Sequence, residues 1–431
     1  MPRIPCLIAR GAALTSAFSG LSSSFASEAF DPVAATEAYI ARMPAEARAR
    51  SDAYFEGGYW LLLVGLIVTL FICWLVLRIG IAQRLRDAVE SRIKSPFARC
   101  LAFAPILMAI LWVLNLPLDI YQDYWREHFY GLSNQTFGAW FTEQVIGFAV
   151  FLLFASPIVA AIHSGIRKSP ARWWVAASLA TPFFILFFGL ISPVFIAPLF
   201  NKYEPLEDPA VREPILSMAR ANGVPAENVY EFNASKQSKR VSANVSGALG
   251  TIRISLNDNL LARCPPEGVL AVMGHELGHY ILNHVYERTV YLSLMFAAVF
   301  WFVHVFTGIV LGRRGAAWGI AGPTDLAAMP VLFAGFSLAM FLATPVQNSI
   351  TRISETEADL YSLNAARQPD AMAEVFLMLS EYRKLKPGPL EELLFFSHPS
   401  GYNRILAAMR WKAENMSTAT PEVAAGNASP Q

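Results

Sequence analysis

The chain has 431 residues, of which 55% are hydrophobic and only 16% are charged. Soluble proteins carry about 25% charged residues, so this composition excludes a disordered chain and an ordinary soluble enzyme and favours a polytopic membrane protein. The formal net charge of +1 provides no extended positive field, so we expect no nucleic-acid partner. The four scattered cysteines form no CxxC pair and predict neither a disulfide framework nor a cysteine metal site.

The N-terminal region begins with a moderately apolar stretch, residues 4–21, that Arg10 interrupts. It is followed by Ser24-Phe25-Ala26, which resembles a small-residue cleavage site. We therefore expect residues 1–27 to be either a cleaved signal peptide or a weak first span. Residues 28–56 form a polar segment that is expected to be helical in part.

Six apolar stretches without Asp, Glu, Lys or Arg reach the length of about 20 residues that a membrane-spanning helix needs. They are residues 57–77, 100–118, 144–166, 173–200, 289–312 and 326–351. Each must be helical, because lipid offers no hydrogen-bond partners to a bare backbone. The pattern predicts an integral multi-pass membrane protein that contacts the lipid bilayer, with four helices in residues 57–200 and two in residues 289–351.

Two water-facing segments remain between and after these helices. Residues 201–288 are expected to form a small α+β insert, and residues 352–412 to form further helices. The insert is predicted to contain, in order, an amphipathic helix over 208–222, a strand over 228–232, an alternating stretch over 242–247, a strand over 251–256, and a helix that begins near Pro265. Residues 413–431 are polar and small and are expected to be a disordered tail.

The strongest chemical motif is the HExxH at residues 275–279. Positions four apart share one face of a helix, so His275 and His279 are predicted to bind one Zn²⁺. Glu276 lies beside the metal, where it is expected to act as the catalytic general base. The alternative is a helix with two structural histidines. The predicted helix, residues 269–284, carries apolar residues on its other faces, as a buried site requires.

A catalytic zinc site needs a third protein ligand. Glu355 and Asp359 follow the sixth apolar stretch and are four residues apart, whereas Glu357 points about 200° away from Glu355 on a helix. We predict that Glu355 is the third ligand and that Asp359 accepts a hydrogen bond from a ligand histidine. A lone carboxylate pair would more simply be an exposed helix face, but its combination with HExxH favours the metal site.

Several motifs together resemble the type 1 CAAX prenyl protease family of membrane-embedded zinc metallopeptidases. From about residue 120 onwards they are His128-Phe129-Tyr130-Gly131, Ile196-Ala197-Pro198-Leu199-Phe200-Asn201-Lys202-Tyr203, Ser242-Ala243-Asn244, the HExxH with Asn283-His284, the Glu355 and Asp359 helix, and Ser397-His398-Pro399 with Arg404. The resemblance implies a ring of transmembrane helices around a chamber that the zinc-peptidase segment closes. It also implies one zinc ion per chain and a peptide or protein substrate, prenylated or membrane-associated, that is processed near its C-terminus.

The same resemblance implies roles for three further residues. Asn244 would lie on an edge strand that pairs with the substrate backbone. His398 would approach the scissile carbonyl as a catalytic residue, and Arg404 would contact the C-terminal part of the peptide. From residue chemistry alone, His398 would be a loop cap and Arg404 a surface charge. The chain departs from the family pattern in having six clear spans instead of seven, and residues 245–247 lack the aromatic side chains usual there.

Two other functions are compatible with parts of the sequence. A site-2-type intramembrane protease would place HExxH inside a span and use an aspartate as the third ligand. The polar residues around the motif, and a predicted third ligand, Glu355, that is a glutamate and not an aspartate, disfavour it. A transporter or proteolytically inactive scaffold is the other alternative, and an intact HExxH with a third ligand disfavours it.

Two arguments predict opposite orientations of the chain in the membrane. Residues 78–99 contain six Lys and Arg residues, so the positive-inside rule places them in the cytosol and the zinc segment outside it. The family resemblance implies a cytosol-facing site instead. We expect the orientation that the resemblance implies, in the inner membrane of a bacterium or the endoplasmic reticulum membrane of a eukaryote.

Overall fold

The computed structural model describes residues 30–247 and 252–416. The expected signal peptide or weak first span, residues 1–27, lies outside the described residues, as do residues 417–431 of the expected tail. The prediction for residues 413–416 was wrong, because they complete the last helix. That helix is held by Met409 and Trp411, which are buried in the core that it shares with the first helix.

In the described ranges the chain forms fifteen α-helices and a four-stranded sheet. The helices are α1 (Pro32–Ala41), α2 (Ala45–Arg78), α3 (Ile81–Glu90), α4 (Pro96–Asp119), α5 (Arg126–Phe129), α6 (Phe137–Lys168), α7 (Trp173–Ile191), α8 (Pro209–Ala221), α9 (Asp258–Arg263), α10 (Pro266–Ile281), α11 (His284–Arg314), α12 (Met329–Ala366), α13 (Pro369–Leu379), α14 (Pro389–Phe395) and α15 (Gly401–Met416). The strands are β1 (Tyr203–Pro205), β2 (Val229–Phe232), β3 (Ala243–Ser246) and β4 (Arg253–Asn257).

Six helices within the described ranges are long and apolar enough to cross a membrane. Including short π and 3₁₀ turns at some ends, they are Ala45–Arg78, Pro96–Phe129, Phe137–Lys168, Trp173–Leu199, His284–Arg314 and Leu326–Ala366. They coincide with the six predicted stretches, so the mainly helical, multi-pass architecture is confirmed. Several continue well beyond the apolar stretch. α2 starts inside the polar segment 28–56, and α12 continues past residue 351 into the segment expected to face water.

The small sheet has the strand order β1-β2-β4-β3. β2 and β4 are parallel, whereas β1 and β3 pair antiparallel with their neighbours and lie at the two edges. Three residues of α10, Val269, Met273 and Leu277, are buried with Ile254 and Leu256 of β4 in one apolar core. Burying a side chain of this size contributes about 1.5–3 kcal/mol, so this core fixes α10 against the sheet.

The helix of the HExxH motif ends earlier than predicted. α10 stops at Ile281 instead of residue 284, because Asn283 adopts a left-handed conformation with φ of 59°. Asparagine tolerates this conformation better than most residues with a side chain. The chain therefore turns sharply and starts α11 at His284, which places this histidine back against α10.

Candidate metal centre and active site

Two glycines bring α10 and α12 unusually close together. A Cβ atom on Gly278 would lie 3.2 Å from the Cα of Ala358, and one on Gly274 would lie 2.8 Å from the Oγ of Ser362. The Ser362 hydroxyl donates a hydrogen bond of 2.6 Å to the carbonyl of Ala271, which ties the two helices together. Each glycine directly precedes a histidine of the motif, so the close contact carries both histidines towards α12.

Donor atoms of three side chains converge between the two helices. The Nε2 atoms of His275 and His279 are 3.1 Å apart, and they lie 3.2 and 3.5 Å from the nearest carboxylate oxygens of Glu355. A tetrahedral zinc ion with bonds of about 2.0–2.1 Å has ligand atoms about 3.3 Å apart. The spacing of the donors and their chemistry, two imidazoles and a carboxylate, therefore fit zinc.

An acidic side chain orients His275 from behind. Nδ1 of His275 donates a hydrogen bond of 2.8 Å to Oδ1 of Asp359, and Arg404 donates two hydrogen bonds of 2.6 and 2.7 Å to the same carboxylate. Burial disfavours a charged His275, yet the hydrogen bonds to Asp359 and Glu355 raise its pKa to about 10. The surroundings thus favour positive charge at this point, which is what a cation site requires.

A second chain of contacts reaches His279. Its Nδ1 is 2.8 Å from Nδ1 of His284, and Nε2 of His284 is 3.0 Å from a carboxylate oxygen of Glu357. A carboxylate can only accept hydrogen bonds, so His284 donates a hydrogen bond to Glu357 through Nε2. The unprotonated Nδ1 of His284 then accepts a hydrogen bond from the Nδ1–H of His279. This arrangement leaves Nε2 of His279 unprotonated and free to bind a metal.

Sequence reasoning missed the contacts of His284 and Glu357. Glu357 points away from Glu355, as helical spacing predicts, but it reaches the site through His284. The position of His284 five residues after His279 was visible only as part of the family resemblance. His284, Glu287 and Glu357 also have donor atoms within 4.8 Å of one another. Since both ring nitrogens of His284 are already hydrogen-bonded, an orienting role fits it better than a second metal site.

Glu276 opens onto a cavity of about 240 Å³ beside the donor cluster. Within the described ranges its carboxylate makes no hydrogen bond or ion pair. Burial raises the pKa of Glu276 to about 7. A free carboxylate with a pKa near neutrality suits the transfer of protons.

The predicted His398 and Arg404 also line this cavity. Nε2 of His398 lies 3.3 Å from Glu355, and its Nδ1 lies 3.0 Å from the hydroxyl of Ser397. Burial lowers the pKa of His398 to about 3, so the ring is neutral. Arg404 is buried and directs two of its nitrogens at Asp359, which makes it part of the support behind His275.

Asn244 is the predicted site residue that has no hydrogen bond or ion pair with this cluster within the described ranges and does not line the cavity. It sits on β3, opposite Ser255 of β4, while the opposite edge of β3 has no strand neighbour within the described ranges. Ser242 and Ala243 line the cavity, whereas Asn244 does not. The structure therefore brings the other seven predicted residues together and leaves Asn244 on the adjoining edge strand.

Comparisons with known proteins agree with this architecture. Residues 205–412 match peptidase family M48, and residues 33–202 match the CAAX prenyl protease N-terminal domain of five membrane helices. The chain is 30% identical to the uncharacterized metalloprotease YhfN of Bacillus subtilis, over 82% of this chain and 84% of that protein. It is 25% identical to CAAX prenyl protease 1 of Saccharomyces cerevisiae, over 74% of each chain.

A solved structure has the same fold. The crystal structure of S. mikatae Ste24p superposes with a TM-score of 0.67 at 20% identity, covering 88% of this chain and 94% of that chain. In contrast to the site-2-type alternative, the motif helix α10 is not one of the six candidate spans. The family match also disfavours a transporter or inactive scaffold. The chain therefore belongs to peptidase family M48, as a multi-pass membrane metalloendopeptidase with the architecture of the CAAX prenyl proteases.

Proposed function

We propose that the chain is a zinc-dependent endopeptidase in which His275, His279 and Glu355 bind one Zn²⁺ and Glu276 is the general base. The observation that carries this proposal is the convergence of three side chains: the two Nε2 atoms are 3.1 Å apart, and one carboxylate oxygen of Glu355 lies 3.2 Å from that of His275 and the other 3.5 Å from that of His279, close to the separation of about 3.3 Å between tetrahedral ligands. A zinc ion bound there would polarise the scissile carbonyl and make a nearby water molecule more acidic.

Other residues of the site then transfer protons, donate a hydrogen bond to the reacting carbonyl oxygen and orient the ligand histidines. Glu276 accepts a proton from the attacking water and later passes it to the leaving amine. His398 is neutral, and with Nδ1 accepting from Ser397 its Nε2–H donates to the oxygen on which negative charge develops. Asp359 and His284 hold the two ligand histidines in the required tautomer.

The substrate is a peptide or protein, and we propose that it binds as an added strand along the free edge of β3, next to Asn244. We further propose that it is a prenylated or membrane-associated peptide processed near its C-terminus. The similarity to CAAX prenyl protease 1 supports this choice. So does the position of the cavity beside Glu355 of α12, a helix that belongs to a candidate membrane span.

The test compares purified wild type with Glu276→Gln on a farnesylated and an unmodified peptide, with and without a chelator. We expect Glu276→Gln to retain about one zinc per chain and to lose cleavage. Glu267→Gln, the same change at an exposed position in the first turn of α10, is the matched control and should cleave normally. Full activity of Glu276→Gln, or no zinc in the wild type, would contradict the mechanism.

We propose that residues 201–288 form the zinc-peptidase domain, that residues 352–412 contribute its third ligand, and that the site faces the cytosol. Three candidate spans separate residues 79–95 from the segment that begins at residue 201. An odd number of crossings puts these two segments on opposite sides of the membrane. The membrane would be the inner membrane in a bacterium or the endoplasmic reticulum in a eukaryote. Reporter fusions in residues 79–95 and at the C-terminus test the orientation, and a cytosolic reporter in residues 79–95 would reverse it.

A further inference from the structure

The catalytic cavity contains a cation that the mechanism does not use. Arg383 lies in the loop between α13 and α14 and lines the cavity together with Glu276 and His398. The residue is largely buried, and its side chain makes no hydrogen bond or ion pair with any residue in the ranges 30–247 and 252–416. A guanidinium group facing a substrate cavity without an anionic partner is a candidate for binding an anion from the substrate.

The neighbouring guanidinium groups are engaged in the fold. Arg404 donates to Asp359, and Arg240 donates hydrogen bonds of 2.7 Å each to Glu127 and to the hydroxyl of Tyr54. Burial and the nearby charge of Arg404 lower the pKa of Arg383. This is the direction expected for a cation whose surroundings do not supply an adequate counter-ion.

The residues around Arg383 hold its backbone in place. Tyr382 and Leu385 are buried, and Lys384 forms ion pairs of 2.6 and 2.9 Å with Glu56 of α2 and Glu391 of α14. The loop is therefore anchored on both sides of Arg383. A cation on an anchored loop loses less conformational freedom when it binds an anion, which increases affinity.

The position of the cavity along β3 indicates which part of a peptide Arg383 would meet. The cavity is lined by residues 241–243, at the start of β3, and by none of the later residues of that strand. A peptide that pairs antiparallel with β3, the more stable arrangement per residue, runs with its carboxyl end towards residue 241. The C-terminal part of the substrate therefore enters the cavity that contains Arg383.

We propose that Arg383 binds the α-carboxylate that ends the substrate, and that it thereby favours cleavage of bonds close to a free C-terminus. The planar guanidinium group matches a carboxylate in a two-bond geometry. This proposal deepens the proposed function and rests on the peptidase site and on substrate binding along β3. It assigns the recognition of the chain end to Arg383, since Arg404 is already bound to Asp359.

The test measures binding without turnover, in the Glu276→Gln protein loaded with zinc. The probes are a fluorescently labelled farnesylated peptide with a free C-terminal carboxylate and the same peptide with a C-terminal carboxamide. We expect the acid to bind about tenfold or more tightly than the amide, the difference that a charge-assisted hydrogen bond provides. Arg383→Gln should reduce the affinity for the acid to that for the amide and leave the amide unchanged, and Arg383→Lys should keep part of the preference.

Lys386→Gln is the matched control, because it also removes one positive charge from the same loop. Its side chain is mostly exposed and is paired with Glu37, so the preference for the acid should remain. Equal affinities of the two peptides for the Glu276→Gln protein, or no measurable affinity for the acid, overturn the proposal. An equal loss for both peptides in Arg383→Gln also overturns it, because that result indicates a structural role. Failure of the protein with Glu276 intact to cleave either peptide would instead count against the proposed function.

Discussion

Replacing Gly278 with alanine tests whether the close contact between α10 and α12 determines the geometry of the metal site. The added Cβ would lie 3.1 Å from the Cβ of Tyr361 and 3.2 Å from the Cα of Ala358. Carbon atoms pack best at about 3.5–4.0 Å, so the helices would have to separate by about 0.3–0.5 Å. Backbone atoms are involved, so no side-chain rotation relieves the contact.

This separation affects the stability of the fold and the metal site to different extents. Overpacking costs about 1–3 kcal/mol, whereas alanine gains about 1 kcal/mol over glycine within a helix. The free energy of unfolding should therefore fall by only about 0–2 kcal/mol. Metal–ligand distances deviate from their usual values by no more than about 0.2 Å. His279 and Glu355 lie on the two helices that would separate. Zinc affinity should therefore decrease about tenfold or more.

The assay is a titration of the zinc-loaded protein with a competing chelator, with bound zinc measured by mass spectrometry and Tm measured in parallel. Gly308→Ala is the control, because it is also a glycine inside a helix and a Cβ there meets no atom within 4 Å. It should keep the zinc affinity of the wild type. If Gly278→Ala also keeps that affinity, the contact between the helices does not set the donor geometry.

Three further predictions concern the support around the site. His284→Ala and Glu357→Gln should each weaken zinc binding about 10- to 100-fold by releasing the orientation of His279; unchanged chelator titrations in both would remove that role. Arg404→Ala removes the cation that is paired with the buried carboxylate of Asp359 and should lower the free energy of unfolding by about 3–5 kcal/mol; a chemical denaturation curve that matches wild type would contradict this. Removing the metal with a chelator should lower Tm, and restoring excess zinc should recover it, because a ligand that binds only the folded state stabilises that state; a Tm that does not respond to chelation would contradict a metal site.

The membrane architecture and the chemical core of the site were predictable from the sequence for clear physical reasons. Long uncharged apolar stretches must be helical in lipid, and six of them coincide with helices of the structure. The spacing of His275 and His279 places them on one helical face. The choice of Glu355 over Glu357 followed from helical geometry, and the structure brings Glu355 to the two histidines.

Other features depend on contacts between distant segments or on turns that show no periodicity. His284 meets His279 only because Asn283 ends α10 with a left-handed turn. Arg383 lies in a loop, and no sequence pattern predicts its position beside the cavity. β1 is only three residues long, too short for alternation to reveal it. The last turn of α15 carries no apolar pattern of its own, and it follows the buried Trp411 that packs the helix against the core.

The continuity of α12 has a mechanical consequence. One helix runs from the uncharged apolar stretch that ends at Thr351 to Glu355, only four residues, or about 6 Å, further along the chain. A tilt of about 5° around that point would displace the carboxylate by about 0.5 Å, as much as the spread among the donor distances. Since helices tilt to match bilayer thickness, the geometry around Glu355 depends on the lipid or detergent that surrounds the protein.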